Sequence, residues 1–194
     1  MQLLKIIYTI AQIFLGLHFV YGQAPIVYDP IPYFHAHNDY EKIGRKPLFE
    51  ALQVGATTVE IDVFPMKNGK LKVSHIPLFL TMKRDFEKIY LEALANYLKP
   101  NQNKIYTKDS VRLILMIDVK RNSDSAYKSI RKLAIKYQEV LTVWYPDSIK
   151  YGPVELLISG HKPWKNLERD SIWYMRIAGG LGQIGDKKYP AKMV

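Results

Sequence analysis

The sequence feature that most constrains the fold is the repeated pairing of a short apolar run with an ionisable residue at its end. The runs are rich in aliphatic and β-branched residues, which predicts strands. Functional groups of α/β proteins collect at the carboxyl ends of parallel strands, so we expect these ionisable side chains to share one edge of a sheet. They are His35, Glu60, Asp62, His75, Asp118 and Lys120.

Strand and helix patterns alternate along the chain, which is typical of an α/β fold with a parallel sheet. The segment 113–117 is apolar enough to be buried on both faces of such a sheet. Helical periodicity and terminal residues predict a short helix after Pro47, one over 86–97, and one that Asp124 caps and that ends at residue 137. The segments that predict strands are 31–34, 57–64, 71–74, 113–119, 141–144, 156–159 and 172–175.

The composition limits the chemistry that the chain can perform. None of the 194 residues is cysteine, which excludes disulfides, zinc–thiolate sites, iron–sulfur clusters and thiol nucleophiles. Any metal must therefore be bound by oxygen or imidazole. The net charge of +10 favours an anionic partner such as phosphate, phospholipid or nucleic acid, although a solvated basic surface explains the charge equally well.

Residues 1–22 have the pattern of a secretory signal peptide. Lys5 supplies the positive charge, residues 6–20 are mainly apolar, and Gly22 precedes the expected cleavage point. The apolar stretch is shorter than a membrane-spanning helix requires and contains polar residues, so an uncleaved anchor is the weaker interpretation. We therefore expect a secreted or periplasmic protein in which residues 23–194 form one domain.

Three carboxylates form a candidate metal site. Glu60 and Asp62 are two residues apart on one predicted strand, so both side chains leave the same face and can converge on a cation. Asp118 directly follows an aliphatic run, where an unpaired charge would be costly. Three carboxylates suit Mg²⁺ or Ca²⁺. Lys120 leaves two interpretations open: it forms an ion pair with Asp118, or it binds a phosphate oxygen while Asp118 binds the cation.

Histidines at the same predicted edge suit general acid–base chemistry near neutral pH. His35 and His75 each end a predicted strand and would form the acid–base pair. His37 is the alternative to His35, and the sequence does not choose between them. A packed or capping role also stays open for each of these histidines.

Three motifs surround these candidate residues. They are HAHNDY at 35–40, GATTVEIDV at 55–63 and NGKLKVSH at 68–75. His75 follows Glu60 by 15 residues, and an acid-x-lysine pair occurs later at Asp118. In these motifs and this spacing the chain resembles the glycerophosphodiester phosphodiesterase and phosphatidylinositol phospholipase C-like superfamily. The first motif is most similar to the branch named for altered inheritance of mitochondria protein 6.

The resemblance implies a TIM-barrel (β/α)₈ fold and a metal-dependent phosphoric diester hydrolase. The implied substrate is a phosphodiester small molecule or a phospholipid, with peripheral membrane contact and no nucleic acid. The hydrolysis would use water or a hydroxyl group of the substrate as the nucleophile. The roles implied are catalysis for His35 and His75, binding of Mg²⁺ or Ca²⁺ for Glu60, Asp62 and Asp118, and substrate binding for Lys120, His37 and Asn38.

The length of the chain modifies this expectation. TIM barrels typically need about 250 residues, so residues 23–194 are expected to form a C-terminally truncated barrel of about six or seven strands. Such an open barrel exposes strand edges and apolar surface, which predicts low stability or association. Two other functions stay open, a non-catalytic anion- or lipid-binding remnant and a nucleic-acid-binding protein.

Overall fold

The computed structural model describes residues 26–41, 46–81 and 83–179. The predicted signal peptide lies outside these ranges. The strands are β1 His35–His37, β2 Thr58–Pro65, β3 Leu71–Val73, β4 Leu113–Val119, β5 Val143–Trp144, β6 Ile149–Lys150, β7 Val154–Gly160 and β8 Arg176–Ile177. The α-helices are α1 Phe49–Gln53, α2 Ala93–Leu98, α3 Ser123–Lys136 and α4 Trp164–Leu167. Short 3₁₀ turns occur at Asp39–Glu41 and Pro77–Phe79, and a π-helical segment, Glu87–Glu92, leads into α2.

A six-stranded, mostly parallel sheet forms the centre of the molecule, which confirms the α/β prediction. Its parallel strands are ordered β1-β2-β4-β7-β8, and β3 pairs antiparallel with β2. Strands β5 and β6 form a separate antiparallel pair. Within the described part of the chain, β1 and β8 are the two ends of the sheet, so these residues do not form a closed barrel.

The two faces of the sheet differ in burial. On one face, aliphatic side chains of β2, β4 and β7 are buried in a single cluster with residues of α1, α2 and α3. Each such side chain contributes roughly 1.5–3 kcal/mol when it is removed from water. On the other face Ile114 and Met116 are only half-buried, so β4 is not buried on both faces as its sequence predicts. This second face carries Glu60, Asp62 and Asp118, and we call it the polar face.

The first and last predicted strands are displaced along the chain. Residues 31–34 form a turn because Tyr33 has a φ of 64° and Phe34 bonds back to the Ile31 carbonyl, and pairing begins only at His35. At the other end Trp173 pairs with Trp144 in a separate bridge, and β8 starts three residues later, at Arg176.

The cap of α3 also differs from the prediction. Asn122, not Asp124, caps the helix, because its side chain accepts a hydrogen bond from the Ser125 amide at 3.1 Å. Asn122 has a φ of 48°, a left-handed conformation that asparagine tolerates better than most residues. Asp124 instead lies in the first turn, where a negative charge is favourable.

None of the helices in the described ranges has both the length and the hydrophobicity of a membrane-spanning segment.

Candidate functional site

Parallel pairing aligns the carboxyl ends of the strands at one edge of the sheet, which we call the carboxyl edge. It includes His37, Asp62, Asp118 and Ser159. The register places His37 beside Glu60, Asp62 beside Asp118, and Asp118 beside Ser159. Of the residues that the sequence placed at this edge, Asp62 and Asp118 lie side by side there, whereas His35 lies at the start of β1, beside Thr58.

Two histidines of β1 contact one carboxylate of β2. His35 Nε2 lies 2.9 Å from Glu60 Oε2, and His37 Nε2 lies 3.5 Å from Glu60 Oε1. The two imidazole rings stack with their centroids 6.3 Å apart. The residues alternate along β1, so both histidines leave the same face of the strand. This arrangement brings both candidate histidines to Glu60 and does not distinguish their roles.

Asp62 is fully buried and contacts three protein donors. Its Oδ2 atom lies 2.7 Å from His75 Nδ1 and 3.0 Å from the Tyr40 hydroxyl. Its Oδ1 atom lies 2.9 Å from Lys120 Nζ. Burial alone would raise the pKa of Asp62, but hydrogen bonds from His75, Lys120 and Tyr40 outweigh it and hold this pKa below its usual value. The side chain is therefore ionised at neutral pH.

Lys120 lies between two carboxylates. Its Nζ atom is 2.5 Å from Asp118 Oδ2 as well as 2.9 Å from Asp62 Oδ1. Burial would lower the pKa of Lys120, but the two neighbouring carboxylates raise it above its usual value. The Ser159 hydroxyl donates to the other oxygen of Asp118 at 3.3 Å. Of the two interpretations left open by the sequence, the Asp118–Lys120 ion pair is the contact that is present.

The described residues include one group with the geometry of a metal site. One ligand atom each from His37, Glu60 and Asp62 lie within 4.8 Å of one another. Two carboxylate oxygens and one imidazole nitrogen fit a divalent cation, because each donates a lone pair and the carboxylates supply the negative charge. Asp118, the third ligand expected from the sequence, is not in this group, since Lys120 separates it from Asp62.

His75 reaches Asp62 because β3 folds back beside β2. The Ser74 amide donates to the Asp62 carbonyl at 3.0 Å, which aligns the next residue with the carboxylate. An ionised carboxylate only accepts hydrogen bonds, so the hydrogen of His75 lies on Nδ1. In the neutral ring Nε2 is then free to accept a proton, and the side chain is 51% exposed.

Tyr40 is a site residue that sequence reasoning missed, because an aromatic side chain at that spacing is more often part of the core. It is buried, and its hydroxyl lies between Asp62 Oδ2 and Asn38 Oδ1, 2.9 Å from the latter. Burial and the nearby Asp62 charge raise the pKa of Tyr40 far above its usual value, so it stays a donor. Its place in the HAHNDY motif was the signal that could have identified it.

Asp39 fixes the same motif to the rest of the fold. Its carboxylate accepts hydrogen bonds from the Leu48 amide and from the hydroxyl of Tyr90, the latter at 2.6 Å. Tyr90 belongs to the π-helical segment, so the motif is connected to a distant part of the chain. Asn38 itself has a φ of 53°, and its side-chain oxygen faces Tyr40.

Several curated proteins are similar to this chain. Altered inheritance of mitochondria protein 6 homolog of Arthroderma benhamiae is 31% identical over 155 residues, which cover 69% of this chain and 48% of that protein. Altered inheritance of mitochondria protein 6 of Kluyveromyces lactis is 30% identical over 166 residues, with coverages of 70% and 39%. The protein of the same name from Eremothecium gossypii is 35% identical over 97 residues, with coverages of 44% and 24%. The chain thus spans less than half the length of these relatives. No solved structure matches it.

The prediction of a secreted or periplasmic protein is wrong. The relatives carry names that refer to the inheritance of mitochondria, which connects them with mitochondria rather than with secretion. The N-terminal pattern that suggested export lies outside the described residues.

The family comparison covers the whole candidate site. The family model of the AIM6-like phosphodiesterase domain matches residues 26–175, a range that includes all the candidate residues between positions 35 and 120. Together with the named relatives, it confirms the resemblance expected from the three motifs. The chain therefore belongs to the AIM6-like phosphodiesterase domain family.

Proposed function

We propose that this protein is a metal-dependent phosphoric diester hydrolase that acts on a phosphodiester small molecule or a phospholipid. The observation that carries the proposal is that two clusters meet at one edge of a parallel sheet. In one, the buried carboxylate of Asp62 contacts His75 and Lys120. In the other, Glu60 contacts two histidines of β1. Membership of a phosphodiesterase domain family supports the same reaction class.

We also propose that the sheet is part of a TIM-type barrel. Successive parallel strands are neighbours in the sheet, whereas a doubly wound sheet reverses its strand order at a switch point. The polar face would then line the barrel interior. The candidate site at the carboxyl edge agrees with the usual position of active sites in barrels.

Glu60 and Asp62 would hold Mg²⁺ or Ca²⁺, with His37 as a further donor. When bound, such a cation offsets the negative charge that develops on the phosphoryl oxygens. The Lys120 ammonium would contribute a second positive charge beside Asp62 and help to orient the phosphate. The carboxylates then have two functions, because they also position Lys120 and the histidines.

Two histidines would move protons on opposite sides of the phosphate. His75 can accept or donate a proton at Nε2, because its Nδ1 hydrogen is held by Asp62. His35 directs Nε2 to Glu60, which leaves its Nδ1 atom available. One histidine would activate the nucleophile while the other protonates the leaving oxygen. The nucleophile is either water or a hydroxyl of the substrate, and both fit this arrangement.

The test of the metal assignment is a substitution that removes the negative charge of the side chain and keeps its size. We expect Glu60→Gln to lower the rate of hydrolysis of bis(4-nitrophenyl) phosphate at least about 100-fold. Glu139→Gln is the control, since this side chain is 85% exposed and forms an ion pair with Lys150, and its rate should equal that of the wild type. Treatment with EDTA should abolish the wild-type rate, and added Mg²⁺ or Ca²⁺ should restore it.

An unchanged rate in Glu60→Gln would overturn the metal assignment. A wild-type protein that binds the cation in calorimetry but hydrolyses no phosphodiester would support the alternative function, a non-catalytic anion- or lipid-binding protein.

A further inference from the structure

A short turn next to His75 exposes a group of apolar side chains. Ile76, Leu78 and Phe79 are 39%, 74% and 43% exposed, and they lie in or next to the 3₁₀ turn Pro77–Phe79. Single exposed apolar residues are ordinary on a protein surface, but three within residues 76–79 form a contiguous patch. We call residues 76–79 the apolar turn.

The apolar turn is an ordered part of the fold. The Phe79 amide donates to the Ile76 carbonyl at 3.3 Å, and the Ser74 hydroxyl donates to the same carbonyl at 2.7 Å. The Val73 amide donates to the Arg84 carbonyl at 3.1 Å, which ties together the two ends of the loop that contains the turn. The folded backbone itself therefore presents the apolar side chains outward.

The position of the apolar turn relates it to the candidate site. It directly follows His75, whose Nδ1 atom is bonded to Asp62 at the carboxyl edge. A surface that contacts Leu78 and Phe79 would therefore lie next to the opening of the site.

The sequence around the turn is strongly basic. Residues 63–84 contain five Lys and Arg residues and no Asp or Glu, although the whole chain has 18 acidic residues. Exposed apolar side chains that are flanked in the sequence by cations suit the surface of an anionic bilayer. Two copies of the chain that met through this turn would bring like charges together, and a nucleic acid would leave the apolar side chains unused. The basic residues are Lys67, Lys70, Lys72, Lys83 and Arg84.

We propose that the apolar turn docks this protein on an anionic phospholipid bilayer. Leu78 and Phe79 enter the interface between headgroups and acyl chains, and the neighbouring cations contact the anionic headgroups. The docking rests on exposure and charge. Its consequence, that phospholipid headgroups are presented to His75 as substrate, rests on the proposed function.

The first test measures insertion of the turn directly. Because the chain contains no cysteine, Leu78→Cys provides a single site for an environment-sensitive NBD label. Vesicles of phosphatidylcholine with phosphatidylserine should shift the emission to shorter wavelength and increase it several-fold, and vesicles of phosphatidylcholine alone should give less. The control is Val54→Cys, because Val54 is 56% exposed but precedes β2 at the opposite edge of the sheet. No response at position 78, or an equal response at both positions, would overturn the proposal.

The second test measures binding of the full chain by co-sedimentation with the same vesicles. Combined Leu78→Ser and Phe79→Ser should lower the partition coefficient roughly tenfold or more, whereas Val54→Ser should leave it unchanged. All variants share the same N-terminal sequence, so the difference between them reports the turn. Equal partition of the wild type and the double variant would contradict docking. Vesicle-independent self-association that the double variant abolishes would instead favour a second copy as the occupant and overturn the proposal.

Failure of docking can be distinguished from failure of the proposed function. Hydrolysis of water-soluble bis(4-nitrophenyl) phosphate should be the same in Leu78→Ser and the wild type, because the Leu78 side chain is 74% exposed. Hydrolysis without vesicle binding would overturn docking alone. Vesicle binding that depends on Leu78, in a protein without hydrolysis, would support docking and overturn the proposed function.

Discussion

Asp62 is the residue on which the geometry of the candidate site depends. A fully buried carboxylate is costly unless opposite charges and hydrogen bonds compensate it. Here an ammonium, an imidazole and a phenol all contact its two oxygens. The same contacts fix the positions of Lys120, His75 and Tyr40, so one buried charge orders three side chains of the candidate site.

Tyr40→Phe tests the contribution of the phenol to this arrangement. The substitution removes the hydrogen bond to Asp62 and keeps the ring, so we expect the free energy of unfolding to fall by about 1 kcal/mol. Tyr33→Phe is the matched control because Tyr33 is 98% exposed. Urea unfolding of both variants measures the difference. Equal stabilities would show that the Tyr40 hydroxyl contributes nothing to the fold.

Part of the arrangement of the candidate site could be predicted from the sequence alone. The spacing of Glu60 and Asp62 predicted a shared face, and both side chains are on the polar face. The sequence could not predict that Lys120 lies between Asp62 and Asp118, because the side-chain direction depends on the register between β2 and β4. That register is set by packing across the whole sheet.

At the scale of elements, the end of β7 controls the space around Asp118. Gly160 has a φ of 66°, and a Cβ atom there would lie 2.2 Å from Asp118 Oδ1 and 2.5 Å from the Val119 carbonyl oxygen. Any larger residue would therefore displace the carboxylate or the end of β4. Gly69, in the turn between β2 and β3, has a similar φ of 78° with no atom within 4 Å of such a Cβ.

This pair of glycines separates steric contact from backbone strain. Gly69→Ala should cost about 1 kcal/mol of unfolding free energy from the positive φ alone. Gly160→Ala should cost roughly 1–3 kcal/mol more, because it adds the overlap with Asp118 and Val119. It should also lower the rate on bis(4-nitrophenyl) phosphate, whereas Gly69→Ala should not. If denaturant unfolding gave the same loss for both variants, the contact with Asp118 would be unimportant.

The elements differ in how well the sequence predicts them. The nearly all apolar segment 113–119 coincides with β4, because a central strand needs apolar residues along most of its length. The first strand was placed too early, because the apolar residues 31–34 look like a strand although Tyr33 adopts a positive φ. The cap at Asn122 was missed because Asp124 is also a capping residue type, and the surrounding chain decides which of the two adopts the capping conformation.

At the scale of the whole molecule, buried phenols make the fold sensitive to alkali. Tyr106 is buried and donates to the Ala56 carbonyl at 2.7 Å, and burial raises the pKa of Tyr106 well above its ordinary value. Above about pH 10 the unfolded chain loses this proton while the folded chain keeps it. The stability that the phenol contributes is therefore complete below about pH 10 and is lost as the pH rises beyond it.

The variant Tyr106→Phe tests whether the free energy of unfolding falls as the pH rises above about 10, as expected. At neutral pH the variant should be about 1 kcal/mol less stable than the wild type, because it lacks the hydrogen bond to Ala56. At about pH 11 the difference should shrink or reverse, because only the wild type pays the ionisation penalty. Urea unfolding at both pH values measures it. A difference that is independent of pH would show that the Tyr106 phenol ionises normally in the folded protein.

The return of β3 beside β2 has a consequence for how the protein assembles. Asp62 and His75 are separated by 13 residues, and the hairpin between them closes only a short loop, whereas Lys120 belongs to the next parallel strand. Short loops close at low entropic cost and form early. The contact between Asp62 and His75 can therefore form before the parallel strands pair. Lys120 reaches Asp62 only after β4 has paired with β2.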